Sequence, residues 1–451
     1  MNSNVMKRPC GVIPLSQRIH QGLAAYLARL RAFSPAARLV LLSSFLGGFA
    51  LGGFRLLLNF YVLSLGEGYN EAFLGTLQTV EALAAILIAL PAAYLANRFP
   101  QKHILLLVTL LIFGSMLGMV LLPSAGALLA LRMLVGMGVA TREVTMAPLL
   151  MANTHAEERQ WVFSMNAGLA MTSMFIGNTI SGSLPTLWAG LLGGEPTGAL
   201  AYQGALATLT VLGGLTLLPL LRLDVHSSHP DRHAPAPWTL LARYGRPLLP
   251  FLLPQIIIGL GAGLMQPFMN VYFRNVYGQP DPVIGLVFAF GGISMAVAQL
   301  AAPPVADRYG KIETVVLSQA ISVPFLLLLG LGAYLVPSGA GAPLFWFWIA
   351  AIAYNFRVGL MNMSNPVYQT FVLEQVRDEM RALAVSLSSI AFQFGWFVMP
   401  QVSGWLQVHF APYGFVPIFV SVAALYALAI SLQYVFFIRQ HRRLAPAASG
   451  D

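Results

Sequence analysis

A single cysteine, Cys10, in 451 residues excludes an intrachain disulfide and any Cys-x-x-Cys metal site. Charge is just as scarce. Asp, Glu, Lys and Arg make up 9% of the chain, where a soluble domain carries about 25%. So few charges cannot coat a water-exposed surface of this size. No GxxxxGK[ST] segment is present to cradle ATP phosphates. Alternating segments of about ten residues, the mark of a transmembrane barrel, are missing as well. The first 36 residues lack the apolar stretch and small-residue cleavage site of a signal peptide, so the first apolar span is expected to direct insertion.

What the chain has in quantity is apolar length. Hydrophobic residues reach 57% and run in blocks, many exceeding the ~20 residues that cross the hydrocarbon of a bilayer. Twelve windows emerge. Spans 1 to 6 fall at about 37–65, 72–96, 103–122, 125–151, 161–187 and 200–221; spans 7 to 12 fall at about 247–273, 283–305, 312–336, 344–370, 382–408 and 416–438. The fold class expected is therefore an all-α integral membrane protein of twelve transmembrane helices. The expected organisation is a tail (1–36), a first bundle (37–221), a polar linker (222–246), a second bundle (247–438) and a C-terminal tail (439–451). In the first tail, Ile19, Leu23, Tyr26, Leu27, Leu30 and Phe33 recur at helical spacing among arginines, as in a basic helix lying on a membrane surface. His226, His229 and His233 of the linker, with Asp224 and Asp231 beside them, sit in a polar, Pro-rich stretch that reads as a solvated loop, so no metal or other cofactor is expected.

The net charge of +9 does not point to nucleic acid, because it is sorted across the membrane. The tails, the linker and alternate loops hold twenty of the 25 lysines and arginines, only Arg274 falls in a loop on the opposite side, and four lie inside spans. By the positive-inside rule both termini are cytoplasmic in a multi-pass protein of the plasma membrane, of the bacterial inner-membrane type.

The two sets of six spans share features at nearly fixed offsets. Asn97-Arg98-Phe99-Pro100-Gln101-Lys102 follows span 2 and Asp307-Arg308-Tyr309-Gly310-Lys311 follows span 8; Gly75 and Gly285 differ by the same 210. Around spans 5 and 11 an offset of 222 pairs Arg159 with Arg381, Ser164 with Ser386, Ser181 with Ser403 and Gly182 with Gly404. Pro148 and Pro366 differ by 218. Several matches in order imply a duplicated six-helix unit in parallel orientation.

On these features the chain resembles the major facilitator superfamily of secondary transporters over nearly its whole length. Asp307-Arg308-Tyr309-Gly310-Lys311 is similar to the family's D-R-x-G-[RK] loop, and Arg132-x-x-x-Gly136-x-Gly138 to its span 4 motif; Gly177-Asn178-x-x-Ser181-Gly182 only echoes its span 5 Gly-Pro motif. The first-half loop departs, with Asn97, Pro100 and Gln101 where the pattern has Asp, Gly and a base, and Asn178 replaces Pro. The resemblance implies two rocking bundles and a central cavity lined by spans 1, 4, 7 and 10. It also implies that Asp307, Arg308, Lys311, Arg159 and Arg381 gate the cytoplasmic side.

A charge at membrane depth costs roughly 2.5–3.5 kcal/mol on insertion scales, so Arg55, Arg132, Arg142 and Arg357 need partners, water or ligand. Arg55 and Glu81 lie at similar depth on consecutive spans, which predicts an ion pair, either structural glue or a proton-sensitive switch. Arg142 and Glu143, adjacent on span 4, point about 100° apart and cannot both face one cavity squarely. With Asn59, Gln266, Asn270, Asn362 and Asn365, the residues Arg55, Arg142 and Arg357 form a candidate polar wall. The surplus of arginine leans this wall towards anionic substrates. Phe345, Trp346, Phe347 and Trp348 open span 10 as an interfacial aromatic belt.

The function expected is secondary active transport of a small molecule by a monomer in the lipid bilayer, coupled to protons through Glu81 and Glu143. The mostly apolar cavity leans this towards efflux of a lipophilic or anionic compound. A uniporter or importer of a sugar or organic anion is the alternative, and a non-transporting receptor or scaffold the alternative of another class. An enzyme is not expected, since the histidines keep to tails, loops and span ends.

Overall fold

The computed structural model describes residues 33–152, 154, 156–223, 237–376 and 378–439. The expected helix of the first tail, the linker histidines and Cys10 lie outside the described residues. Ten helices are long and apolar enough to cross a membrane by length and composition. Ala156–Leu192 and Asp378–His409, spans 5 and 11, complete twelve. No strand occurs among the described residues.

The first two spans start at side-chain caps. Span 1 runs Pro35–Leu63, starting where the Ser34 hydroxyl accepts from the Ala37 N–H at 3.2 Å with Pro35 in the first turn. Span 2 is Glu71–Arg98, capped by the Asn70 side chain on Phe73 N–H at 3.1 Å. Spans 3, 4 and 6 are Gln101–Leu121, Ala125–Ala152 and Ala199–Gly214 with the short Leu217–Leu221. Span 7 starts at Pro237, ten residues before the expected boundary, because an apolar window reports only the lipid-depth part of a helix. It is also broken. Helix Pro237–Met265 gives way to a 3-10 turn, Gln266–Phe268, and resumes as Met269–Tyr277. Pro267 has no N–H to donate, which accounts for the break. Because the resumed helix reaches Tyr277, Arg274 stands in its last turn rather than in a loop. Spans 8, 9, 10 and 12 are Asp281–Tyr309, Lys311–Leu335, Pro343–Gln375 and Phe415–Gln433, the last extended by a π-turn to Arg439.

Packing repeats with a shift of six spans. In the first half span 1 packs on 5 and 6, span 4 on 2 and 3, and span 3 on 6; in the second half span 7 packs on 11 and 12, span 10 on 8 and 9, and span 9 on 12. The halves meet along two seams related the same way, span 2 on 11 and span 8 on 5. The glycines that revealed the repeat are the touching points of these seams. A Cβ on Gly285 would stand 2.5 Å from the Asn178 carbonyl oxygen, and one on Gly182 2.7 Å from that of Asp281. Their counterparts Gly75 and Gly404 would meet the Cα atoms of Gln401 at 3.0 Å and Ala72 at 2.8 Å.

Both seams lie near one end of the bundle. The tails and linker leave from the other, which we term the basic end; the seams mark the far end. One core cluster spans both halves at the far end, bringing Phe54, Leu57 and Tyr202 together with Phe268, Tyr272 and Phe273. At the basic end the core is split into two separate clusters, one around Val40 and Leu105 and one around Val315 and Tyr368. The halves are thus joined at the far end and parted at the basic end.

Adding a branched side chain as a wedge at a seam should therefore open the far end. In a Cys10→Ser background, Gly285→Val should raise maleimide labelling of a Thr76→Cys reporter from the far side severalfold; an unchanged labelling rate would contradict the seam assignment.

Candidate site at the span 1–2–4 junction

Glu81 lies ten residues into span 2 from Glu71, Arg55 eight residues from the far end of span 1, and Arg132 seven residues into span 4. At 1.5 Å per residue these depths are ~15, ~12 and ~10 Å. The side chains meet. Arg55 Nη2 stands 3.3 Å from Glu81 Oε1, and Arg132 Nη2 is paired with Glu81 Oε2 and donates to Gln78 Oε1 at 3.3 Å. The predicted Arg55–Glu81 pair is present, and Arg132 is a second partner that the depth argument did not supply. Arg132 and Gly136 are four residues apart and share a helix face. That glycine brings span 4 against the backbone of Glu81 itself, a Cβ there standing 3.1 Å from the Glu81 Cα, while Gly138 faces Ile112 and Val108 of span 3. Arg132 is 2% exposed, Glu81 12% and Arg55 57%. One carboxylate is thus shared between a sealed arginine and an open one.

Below it on span 4, Arg142 and Glu143 diverge as their angle requires. The Arg142 guanidinium fills the space left by Gly47 of span 1 and reaches the Ser43 carbonyl at 3.5 Å. Glu143 is exposed, with Arg55, Arg142 and Glu81 as the charges that act on it. Three arginines against two carboxylates leave this first-half cluster net positive.

The amides divide into two groups. Asn59 and Asn270 are buried in a clasp between the halves. Asn59 Nδ2 donates to Asn270 Oδ1 at 2.9 Å and to the Pro267 carbonyl at 2.7 Å, and Asn270 Nδ2 donates to the Leu56 carbonyl at 2.8 Å. Gln266 is half-buried in the span 7 break. Asn362 and Asn365 lie towards the basic end of span 10, bonded to each other at 3.0 Å, Asn365 exposed. Arg357 does not join the first-half arginines; it is buried in the second half against Tyr426. Of the span 10 aromatics, Phe345 and Trp348 are exposed and Phe347 turns into the core.

At the basic end, Gly310 adopts φ +96°, a conformation that favours glycine, and so links spans 8 and 9 without an intervening loop. Lys311 pairs with Glu374 of span 10, inside the same half. Asp307 and Arg308 are exposed, Arg308 lying over the Tyr309 ring. In the first-half copy Lys102 instead donates to the Leu221 and Leu223 carbonyls at 3.0 and 2.6 Å, closing the end of span 6. The side chains of Arg159 and Arg381 lie outside those described.

The far end holds a charged clasp that no motif announced. Arg274 pairs with Asp281, donates to the Tyr202 hydroxyl and lies 3.4 Å above the Phe60 ring centre, while Tyr202 donates to Asp281 Oδ2 at 2.7 Å. Phe60 and Tyr202 belong to the first half, Arg274 and Asp281 to the second. Asn275 donates to Glu71 at 3.1 Å and Thr76 to Gln401 at 2.8 Å across the same end. Glu71 and Asp281 are themselves 210 residues apart, the offset of the repeat. The available signal was Arg274, alone on the far side, with an acid seven residues on.

The sequence profile of the Major Facilitator Superfamily matches residues 40–400 and, in a second alignment, 255–451. No curated protein matches the chain in sequence. Among solved structures it is similar to the nucleoside transporter NupG, at TM-score 0.69 and 15% identity over 89% of this chain and 98% of that one. It is also similar to a bacterial homolog of the human lysosomal transporter Spinster, inward-facing and unoccupied, at TM-score 0.71 and 14% identity over 89% and 97%. A D-xylose–proton symporter matches at TM-score 0.67 and 17% identity over 89% and 98%. At these identities the shared property is the fold.

Unequal burial gives the three charges unequal weight in stability. Glu81→Gln should lower the melting temperature most, since it strands Arg132 at a cost of ~3–5 kcal/mol. Arg55→Gln should cost under ~1 kcal/mol, and Glu81→Gln combined with Arg132→Met should recover much of the loss. Thermal unfolding in detergent checks this, and equal losses for Arg55→Gln and Glu81→Gln would contradict it.

Proposed function

The chain belongs to the major facilitator superfamily, and we propose that it is a secondary active transporter that carries a small organic anion by alternating access, coupled to protons. The basic end faces the cytoplasm of a bacterial-type plasma membrane, both termini lie there, and the monomer is the working unit. The arrangement described is then the inward-open one, clasped at the far end. Rocking the halves about the two seams would break that clasp and close the basic end around the same chamber.

The carrying observation is the carboxylate shared by an open and a sealed arginine. With Glu81 ionised, Arg55 is held by a group of its own protein. A proton on Glu81 removes that hold, and the freed guanidinium offers its fork to a carboxylate or phosphate. Arg132, sealed and adjacent, has no route to the chamber, so only Arg55 is handed over. Glu143, exposed and within the same field, is the second proton carrier. The sign of coupling follows. Protonation of Glu81 favours anion binding, so proton and anion travel in the same direction, and an inward proton gradient drives uptake.

Efflux by exchange is the second reading. It requires a substrate that binds in place of the proton, and the apolar chamber favours it for a lipophilic compound. The two differ in sign. In proteoliposomes with an internal pH dye, an organic anion identified by thermal-shift screening should acidify the lumen as it enters; alkalinisation would indicate exchange. Glu81→Gln should uncouple this signal and Glu143→Gln should weaken it. Unaltered proton-linked uptake in both variants would overturn the coupling assignment.

For the gate we propose that Asp307, Arg308 and Lys311, with Arg159 and Arg381, make their cross-half contacts only when the basic end closes. Asp307→Arg should abolish transport while leaving expression and melting temperature unchanged, and a wild-type transport rate would refute it.

A further inference from the structure

The second half carries one charge at membrane depth that its own residues do not neutralise. Its carboxylates, Asp281, Asp307, Glu313, Glu374, Asp378 and Glu379, all stand at or near span ends. Arg357 lies fourteen residues into span 10 from Pro343, ~21 Å along the axis, and is 1% exposed. Its described hydrogen bond runs from Nη2 to the Tyr426 hydroxyl at 2.7 Å, and its Nε–H has no acceptor among the described residues. Arg132 and Arg274 are buried or partly buried too, but each holds a carboxylate. Arg357 holds only a neutral phenol.

A glutamine could donate to Tyr426 without bringing a charge into the bundle. The guanidinium's charge therefore needs a reason beyond this bond, because an uncompensated ion at this depth is among the costliest features a membrane bundle can keep. The surroundings are aromatic. Tyr354, one turn earlier on span 10, packs against Phe273 and Phe288, and the Arg357 guanidinium carbon lies 5.5 Å from the Tyr426 ring centre. The Tyr426 ring rests on Gly261 of span 7, where a Cβ would stand 3.0 Å from Cδ1. No side chain of span 7 intervenes at that point. Five residues on, span 7 breaks at the turn whose Pro267 carbonyl is clasped by Asn59 of the other half. The segment of span 7 beside Arg357 is thus held by the first half in this arrangement, and breaking the far-end clasp releases it.

We propose that Arg357 is the second half's receptor for the carboxylate of an aromatic monocarboxylate, which it takes up as the halves close and span 7 moves off Tyr426. The Nε–H and an Nη proton form the flat fork that matches two carboxylate oxygens, and Tyr354 and Tyr426 supply the apolar faces for the ring. This rests on the anion-carrier reading above and adds where in the second half the anion is received. The cost of the lone charge is relieved only in the loaded, closed state, so the ligand binds that state more tightly and draws the equilibrium towards it.

The test is thermal stabilisation of the purified full-length protein by sodium benzoate, compared with benzamide and with sodium chloride at equal ionic strength. Benzoate should raise the wild-type melting temperature, and neither control should match it. Arg357→Met should melt higher than wild type without anion and should lose the benzoate shift, whereas Arg55→Gln should retain at least part of it. Arg357→Lys, which keeps the charge but not the fork, should bind benzoate about tenfold or more weakly; it decides the matter if the methionine variant does not fold. A benzoate shift kept in Arg357→Met, or unchanged in Arg357→Lys, overturns the assignment, as does a chloride shift equal to that of benzoate. Loss of the shift in Arg55→Gln alone returns the anion to the first half and leaves the carrier reading standing. No benzoate shift in wild type sinks the aromatic carboxylate alone, because the proton-linked assay with Glu81→Gln tests the carrier reading separately.

Discussion

Ionised groups at membrane depth must be neutralised by the protein, by water in a chamber or by a ligand, since lipid does none of this. Most of the architecture that matters for function follows from how each arginine meets that requirement. Arg132 and Arg55 meet it through Glu81, which ties spans 1, 2 and 4 together. Arg142 meets it partly through the Ser43 carbonyl and a space that Gly47 leaves open. Arg274 meets it through Asp281 and Tyr202, and in doing so ties one half to the other. Arg357 meets it least, since its described bond goes to the neutral Tyr426 hydroxyl.

The two halves are alike in backbone and unlike in charge. Their helix pairings repeat with a shift of six, and both seams close on paired glycines. Yet the Glu81 cluster has no counterpart in the second half, whose membrane-depth interior holds no carboxylate. The acids Glu71 and Asp281 occupy matching places, but only Asp281 has an arginine. Duplication accounts for the shared packing geometry. Divergence of side chains leaves one half with a carboxylate shared by two arginines and the other with an arginine bonded to a neutral phenol.

The far-end clasp combines apolar burial, close backbone contact and a small number of ionic and amide bonds. Such a combination can hold without being permanent. Each seam contact is short because glycine permits it, and the polar bonds that cross have one partner on either side, so separation exposes the groups to water rather than leaving them stranded. The basic end has two cores in place of one, which lets each half stay folded when the other moves away.

Sequence alone determined the number of the spans, the duplication and the Arg55–Glu81 pair. Hydropathy, charge sorting and residue depth along a 1.5 Å rise are all properties of position in the chain. Gly75 with Gly285 and Gly182 with Gly404 were legible as matches, but that they are the hinge-side contacts was not. Which helices touch is decided between residues hundreds of positions apart. The same limit hid Arg132 from Glu81, set Asn59 and Asn270 in a clasp rather than a wall, and buried Arg357 against Tyr426. Depth fixes one coordinate of a side chain in a bundle; its azimuth and its neighbour across the interface come only from how the helices pack, and that packing decided which charges are paired, which are sealed and which meet only neutral groups.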